Sequence, residues 1–177
     1  MKNAPIPKNE MERMMAVKAL EILDTVPEER FDAITKEATV RLHVPISTVT
    51  IMDKDREWYK SCQGTTKREG PRSVSFCGHA MSVNSMFVVE DTHLDERFKD
   101  NPAVIGEPYV RFYAGISLYN RNSDLPVGVF CIKDTKPRKL TREETELFLE
   151  LAAVAEDELN AAPLNKKSKK VSTGKTK

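Results

Sequence analysis

Two pairs of strand-like segments, each pair joined by only a few polar residues, constrain this chain more than any other feature. Residues 46–53 (ISTVTIMD) and 57–63 (EWYKSCQ) meet at the turn Asp53-Lys54-Asp55-Arg56. Residues 111–119 (RFYAGISLY) and 125–133 (LPVGVFCIK) meet at the loop Asn120–Asp124. β-Branched and aromatic residues fit a pleated, half-buried surface. Strands joined this tightly run antiparallel. Two hairpins therefore form the centre of a sheet, and Phe87–Glu90 adds a further short strand.

Helical patterns surround the hairpins. Asn9 and Glu12 have capping-box spacing, and Met11, Met14, Met15, Ala19 and Ile22 follow as an apolar stripe. Thr25 and Glu28 repeat that spacing with Pro27 in the first turn, which predicts a helix to about Leu42 with Phe31, Ile34, Ala38 and Leu42 inward. Pro45 ends it. Residues 64–72 read as a loop, and 73–82 as a short helix. The segment 91–110 is long and irregular, with one helical turn around Asp95–Lys99. Thr141 and Glu144 form a third capping box, opening a helix over 142–159 with Leu147, Leu151, Val154 and Ala155 on one side. An antiparallel sheet with helices at both ends is an α+β architecture.

The 177 residues fit one domain. Residues 1–8 read as an extended lead-in, 9–160 as the domain and 161–177 as a disordered lysine-rich tail. Six of the 28 basic residues lie after Ala161, leaving 22 against 27 acidic residues in the body. An acidic body is not a folded nucleic-acid surface. The tail reads as a solubilising segment, with weak non-specific polyanion contact as the alternative. No apolar run approaches the roughly 18 residues that span a bilayer, and Met1–Glu10 has no apolar signal-peptide core. The expectation is a cytoplasmic protein with no membrane contact, whose three cysteines (Cys62, Cys77, Cys131) are reduced.

Several motifs in order resemble the GAF family from about Asn9 to about Glu158. They are Ile22-Leu23-Asp24-Thr25 with Pro27-Glu28-Glu29-Arg30-Phe31-Asp32, then Val44-Pro45-Ile46 leading to Asp53, Arg56, Trp58 and Lys60. Ser75-Phe76-Cys77-Gly78-His79-Ala80 follows, then Asp95, Arg97-Phe98, Asp100-Asn101-Pro102 and Arg111-Phe112-Tyr113-Ala114-Gly115. Gly128, Asp134-Thr135 and Pro137-Arg138 complete the series. The likeness is nearest to the bacterial signalling subgroup found beside diguanylate-cyclase and histidine-kinase domains. It implies a central antiparallel sheet, the N- and C-terminal helices together on one face, and a pocket under the segment running from the 73–82 helix to Arg111. Long irregular segments in compact domains are often binding loops, which points independently to 91–110.

The expected ligand-binding residues are Trp58, Phe76, Cys77, His79, Phe98, Arg111, Tyr113 and Cys131. Each has a structural reading beside the functional one. Cys77 and His79, with His93, have the residue types of a metal site. Resemblance to bilin-binding sensors adds a chromophore, although Gly78 separates the cysteine from the histidine. A buried cysteine also acts as a small apolar residue. Arg97 and Arg111 suit an anionic ligand or pin the loop through Asp95 and Asp100. The aromatics line a pocket or fill a core. No Gly-rich phosphate loop, HExxH or Ser/His/Asp pattern occurs.

The resulting expectation is a sensory module without catalysis or cofactor. It binds an unidentified small molecule and signals through its terminal helices, with residues 9–22 and 142–159 as a homodimer interface. Two alternatives stand beside it: a ligand-free interaction scaffold, and a thiol enzyme resembling the small GAF proteins that reduce free methionine sulfoxide.

Overall fold

The computed structural model describes residues 1–161. The lysines after Ala161, and the tail reading attached to them, lie outside the described residues. Six antiparallel strands form one sheet in the order β3-β2-β1-β6-β5-β4. They are β1 (Ile46–Met52), β2 (Arg56–Gln63), β3 (Glu69–Pro71), β4 (Phe87–Val89), β5 (Phe112–Asn120) and β6 (Leu125–Asp134). The two expected hairpins are β1–β2 and β5–β6, and β1 pairs with β6 to join them. A bulge at Val49/Thr50 shifts the β1–β2 register, so Lys60 and Ser61 both turn to the helical face, where Lys60 pairs with Glu28 and Ser61 with Thr35.

Helices α1 (Glu10–Ala19), α2 (Glu29–Arg41) and α5 (Arg142–Asn160) share one face of the sheet. The first and last helices thus lie together, as expected. On α5 the buried positions Phe148, Leu151, Ala152, Ala155 and Leu159 follow helical spacing. Phe148 stacks on Phe130 of β6 with ring centroids 5.2 Å apart. Thr141 and Glu144 make the reciprocal capping box. The opposite face carries α3 (Phe76–Ala80), α4 (Pro102–Ile105) and the 91–110 segment, packed on a second cluster around Phe98 and Tyr113.

Several expectations need correction. Residues 1–8 do not merely lead in: Ala4 is buried, and its amide donates to the Ser73 carbonyl at 3.0 Å. On α1 the buried residues are Arg13, Ala16 and Val17, while Met11 and Met15 are exposed. The cause is Arg13. Its guanidinium donates to Glu10 at 2.7 Å and to the Met52 carbonyl at 2.7 Å, so this buried cation is fully partnered and turns the helix. Glu10 is also held by Arg72 at 2.5 Å. Asn9 makes no side-chain cap. The helix α2 starts at Glu29 and not at Thr25, again without a side-chain cap. Lys60 holds Thr25 Oγ1 and the Val26 carbonyl at 2.8 Å and Glu28 at 2.6 Å, which takes those groups from the helix start. Val26 precedes a proline, which also disfavours helix there.

The 64–72 loop contains the edge strand β3, paired with Arg56–Trp58. Gly64 in that loop sits at φ +76°, and a Cβ there would lie 1.9 Å from the Pro45 carbonyl oxygen. The 73–82 helix resolves into a 3-10 turn (Arg72–Val74) and the short α3, capped by the Ser75 side chain. The irregular 91–110 segment keeps its turn at Asp95–Lys99 and adds α4, capped by Asn101.

Candidate functional site

Strand alternation gives β1, β2 and β6 two different faces. Val49, Ile51, Trp58, Phe130 and Ile132 turn to the helices. Thr48, Glu57, Tyr59 and Lys133 turn the other way and line a cleft of about 610 Å³. That volume suits a small organic ligand, for which about 300–1,000 Å³ is usual. Val74 and Phe76 form one wall, and Asn101–Ala103 with Gly106–Pro108 and Val110 form another. Thr65, Lys67 and Glu69 stand at the mouth. The cleft thus opens at the β2 side of the sheet, under the far end of the 91–110 segment.

The floor is polar and mostly satisfied. Glu57 is buried and accepts hydrogen bonds from Tyr59 Oη at 2.7 Å and from Ser75 Oγ. Burial pushes the Tyr59 phenol well up, and the neighbouring Glu57 carboxylate adds to this, so the hydroxyl stays protonated and donating. Lys133 differs. Its Nζ lies 5.9 Å from the Tyr59 ring centroid, and among the described residues it makes no hydrogen bond or ion pair. Burial works against its charge, but the acidic groups nearby, Cys131 first and Glu57 with it, outweigh that and raise its pKa, so the cleft floor carries an ammonium. Three N–H donors face the cleft without a protein acceptor.

Of the expected binding residues, Phe76 lines this cleft. Five others join it in one enclosed cluster beside the cleft: Cys77, His79, Phe98, Tyr113 and Cys131. Phe76 stacks on Phe98 with centroids 4.3 Å apart and on Tyr113 at 5.1 Å. Cys77, Phe98, Tyr113 and Cys131 have no exposed surface. His79 packs edge-on to Phe98 at 4.8 Å, and its Nε2 lies 3.1 Å from the Lys2 carbonyl. Burial pulls the His79 pKa down, against the Lys2 carbonyl, which favours the charged ring. Arg111 donates to the Val104 and Val110 carbonyls at 2.8 and 3.0 Å, pinning the loop. Arg97 pairs with Asp95 at 2.6 Å, whereas Asp100 pairs with the Met1 amino group. Trp58 lies on the helical side of the sheet, in the apolar core.

Cys77, His79 and His93 do not come together as a ligand set. Among the described residues no group of three or more His, Cys, Asp or Glu is placed to hold a metal.

The floor residues Thr48, Glu57, Tyr59 and Lys133 were missed because motifs drew attention to 73–113. A signal did exist. Lys133 continues the alternation Val129, Cys131, and Glu57 continues that of Tyr59, so each charge sits in an inward phase of a strand. An inward charge in a strand marks a cavity or a partner.

No protein-family model matches this sequence. Over 150 residues the chain is 37% identical to a cyclic di-GMP phosphodiesterase of Pseudomonas aeruginosa, an alignment covering 85% of the chain. The chain spans a quarter of that protein's length. The GAF domain of an Acinetobacter phosphoenolpyruvate-protein phosphotransferase superposes with a TM-score of 0.62 at 14% identity, covering 86% of this chain and 93% of that one. Free methionine-R-sulfoxide reductase of Neisseria meningitidis, solved with its substrate, superposes with a TM-score of 0.59 at 16% identity, covering 90% and 96%. No described helix is long and apolar enough to cross a membrane. The six-stranded antiparallel sheet, the terminal helices on one face and the cleft on the other, superposed on these structures, give the chain the GAF-domain fold.

Proposed function

We propose that this chain is a regulatory GAF domain whose cleft binds a small organic molecule carrying an acidic group. The observation that carries the reading is Lys133, an ammonium at the floor of the cleft with no protein acceptor among the described residues. A carboxylate or phosphate supplies the acceptors, and charge-assisted bonds of this kind are the strong ones. Phe76, Val74 and Val110 offer an apolar surface to the rest of the ligand. The 37% identity to part of a cyclic di-GMP phosphodiesterase supports a role in signalling.

The reading assigns binding and no chemistry to the cleft. Cys77 and Cys131 are fully enclosed, so a ligand on Lys133 does not meet sulfur. If the chain instead acts as the Neisseria neighbour's name describes, it turns over free methionine-R-sulfoxide with dithiothreitol. Turnover lost in Cys77→Ser would replace the present reading.

Occupancy is transmitted through α1 and α5. Met11 and Met15 on α1, and Leu149 and Val154 on α5, are exposed apolar residues that support the expected homodimer. Sedimentation of a monomer at high concentration contradicts that part.

The binding reading is tested with one ring and three charges: benzoate, benzamide and benzamidine. Benzoate should raise the melting temperature of the wild type and leave Lys133→Met unchanged. Benzamidine acting better than benzoate reverses the charge assignment. No response to any of the three, with no ligand mass released on denaturing the native protein, removes the binding reading and favours a scaffold.

A further inference from the structure

Cys77 and Cys131 are 54 residues apart in sequence and in contact in the fold, with Sγ atoms 3.7 Å apart. Cys77 lies on α3, next to the cleft-wall residue Phe76. Cys131 lies on β6, two residues before Lys133. Neither has any exposed surface. Tyr113 Oη donates to Cys77 Sγ at 3.3 Å, and Thr48 Oγ1 lies 3.1 Å from Cys131 Sγ. Cys62 stands apart, on the carbonyls of Thr65 and Lys67.

The surroundings separate the two thiols. Burial raises the Cys131 pKa, but the Cys77 S–H, the Lys133 charge and the Thr48 hydroxyl outweigh it and bring Cys131 down to about 7. Burial and the same partner push Cys77 up. The Cys77 S–H thus donates towards Cys131, and Cys131 is the one of the pair that more readily gives the thiolate, the reactive form.

We propose that Cys77 and Cys131 are an oxidisable dithiol that closes to a disulfide in the presence of a hydroperoxide, joining the cleft wall to the cleft floor. The Cys131 thiolate attacks the outer peroxide oxygen. The O–O bond breaks, a sulfenic acid forms, and the other oxygen leaves as the alcohol or water, taking the proton that Cys131 gave up. Cys77 then attacks the sulfenic sulfur. The S–S bond forms, the S–O bond breaks, and hydroxide leaves with the Cys77 proton as water. Two thiols and one peroxide yield a disulfide, an alcohol (or water) and water; the sulfurs lose two electrons and the O–O bond accepts them. Closure shortens the sulfur separation from 3.7 Å to about 2.0 Å. A five-residue helix such as α3 can make that shift more readily than a central strand. Thr48 both lines the cleft and touches Cys131, which marks the side from which a small hydroperoxide reaches the pair.

The test uses the full chain with Cys62→Ser, which leaves only the pair. After hydrogen peroxide, quenching and alkylation in denaturant, the intact mass should be lighter by two hydrogens. Both cysteines should resist alkylation, and a Cys77–Cys131 cross-linked peptide should appear. Dithiothreitol should reverse all three changes. Mass gained as oxygen with no cross-link overturns the proposal, as do links only between chains. Two freely alkylated cysteines, after peroxide that has oxidised a control thiol, also overturn it. Mapping the wild type by the same steps gives a second readout should the substitution disturb folding, with Cys62 expected to remain outside the intramolecular link.

Discussion

The two faces of the sheet come from the same strands and serve opposite ends. On β6, Phe130 stacks on Phe148 of α5 and Ile132 joins the same apolar layer, whereas Val129, Cys131 and Lys133 face α3 and the cleft. On β1, Val49 and Ile51 face the helices, while Thr48 and Thr50 bond each other on the other side at 2.8 Å. The helical face is mainly apolar, and its buried polar groups, such as Lys60 and Ser61, are paired with Glu28 and Thr35. The loop face trades packing for polar groups: Glu57 with two hydroxyl partners, two thiols in contact, and one cation with no protein partner among the described residues. Stability should therefore be concentrated on one face and ligand response on the other.

The largest effect expected from breaking this division is on the helical face. Phe148→Ala removes a fully buried ring stacked on Phe130 and should cost about 3–5 kcal/mol of unfolding free energy, measured by denaturant titration. Lys133→Met tests the opposite face. It should weaken benzoate binding about 10–100-fold, the equivalent of one charge-assisted contact of about 1.5–3 kcal/mol, while changing stability much less than Phe148→Ala. A comparable loss of stability from Lys133→Met would show that the lysine is structural.

Two smaller effects sharpen the picture at the edges of the helical face. Thr141→Ala removes the cap of α5 and should cost about 1 kcal/mol. Glu10 ties α1 to Arg72, whose guanidinium donates to the Asp53 and Lys54 carbonyls in the turn between β1 and β2. Part-burial raises its pKa, but the hydrogen bonds from Arg13 and Arg72 outweigh that and bring it down to about 2 from 4.5. A carboxylate with a depressed folded-state pKa stabilises above its unfolded value and loses that contribution as pH falls. The wild type should lose stability between about pH 4.5 and pH 2, and Glu10→Gln should flatten that part of the curve. Denaturation midpoints at stepped pH measure the difference.

How much of this was legible follows the same division. The hairpins, the antiparallel order and α5 with its capping box came through because apolar alternation and helical spacing report packing against an apolar layer. The short helix at 73–82 was found in place, though split. α1 was misread because a buried, fully paired arginine replaced an apolar contact, and spacing of methionines cannot reveal that Arg13 reaches the Met52 carbonyl, 39 positions away, or that its partner Glu10 also pairs with Arg72, 62 positions away. The start of α2 was misread because Lys60 on β2 claims the groups that would have capped it. At the site, the motif residues Phe76, Cys77, His79, Phe98, Tyr113 and Cys131 do come together, yet of these Phe76 alone lines the cleft and the others build the enclosed layer beside it. The floor is set by strands that pair across the chain, so Glu57, Tyr59 and Lys133 meet only once β2, β1 and β6 are side by side.

The central claim is that the ammonium of Lys133 receives the acidic group of a ligand in the cleft. The most direct measurement is a crystal structure with para-bromobenzoate, in which anomalous scattering locates the bromine independently of the chain. The account predicts a bromine peak within the cleft, beside Phe76 or Val110, and the carboxylate within hydrogen-bond distance of Lys133 Nζ. A bromine peak elsewhere, or a carboxylate turned to the mouth with Lys133 left uncontacted, would contradict it.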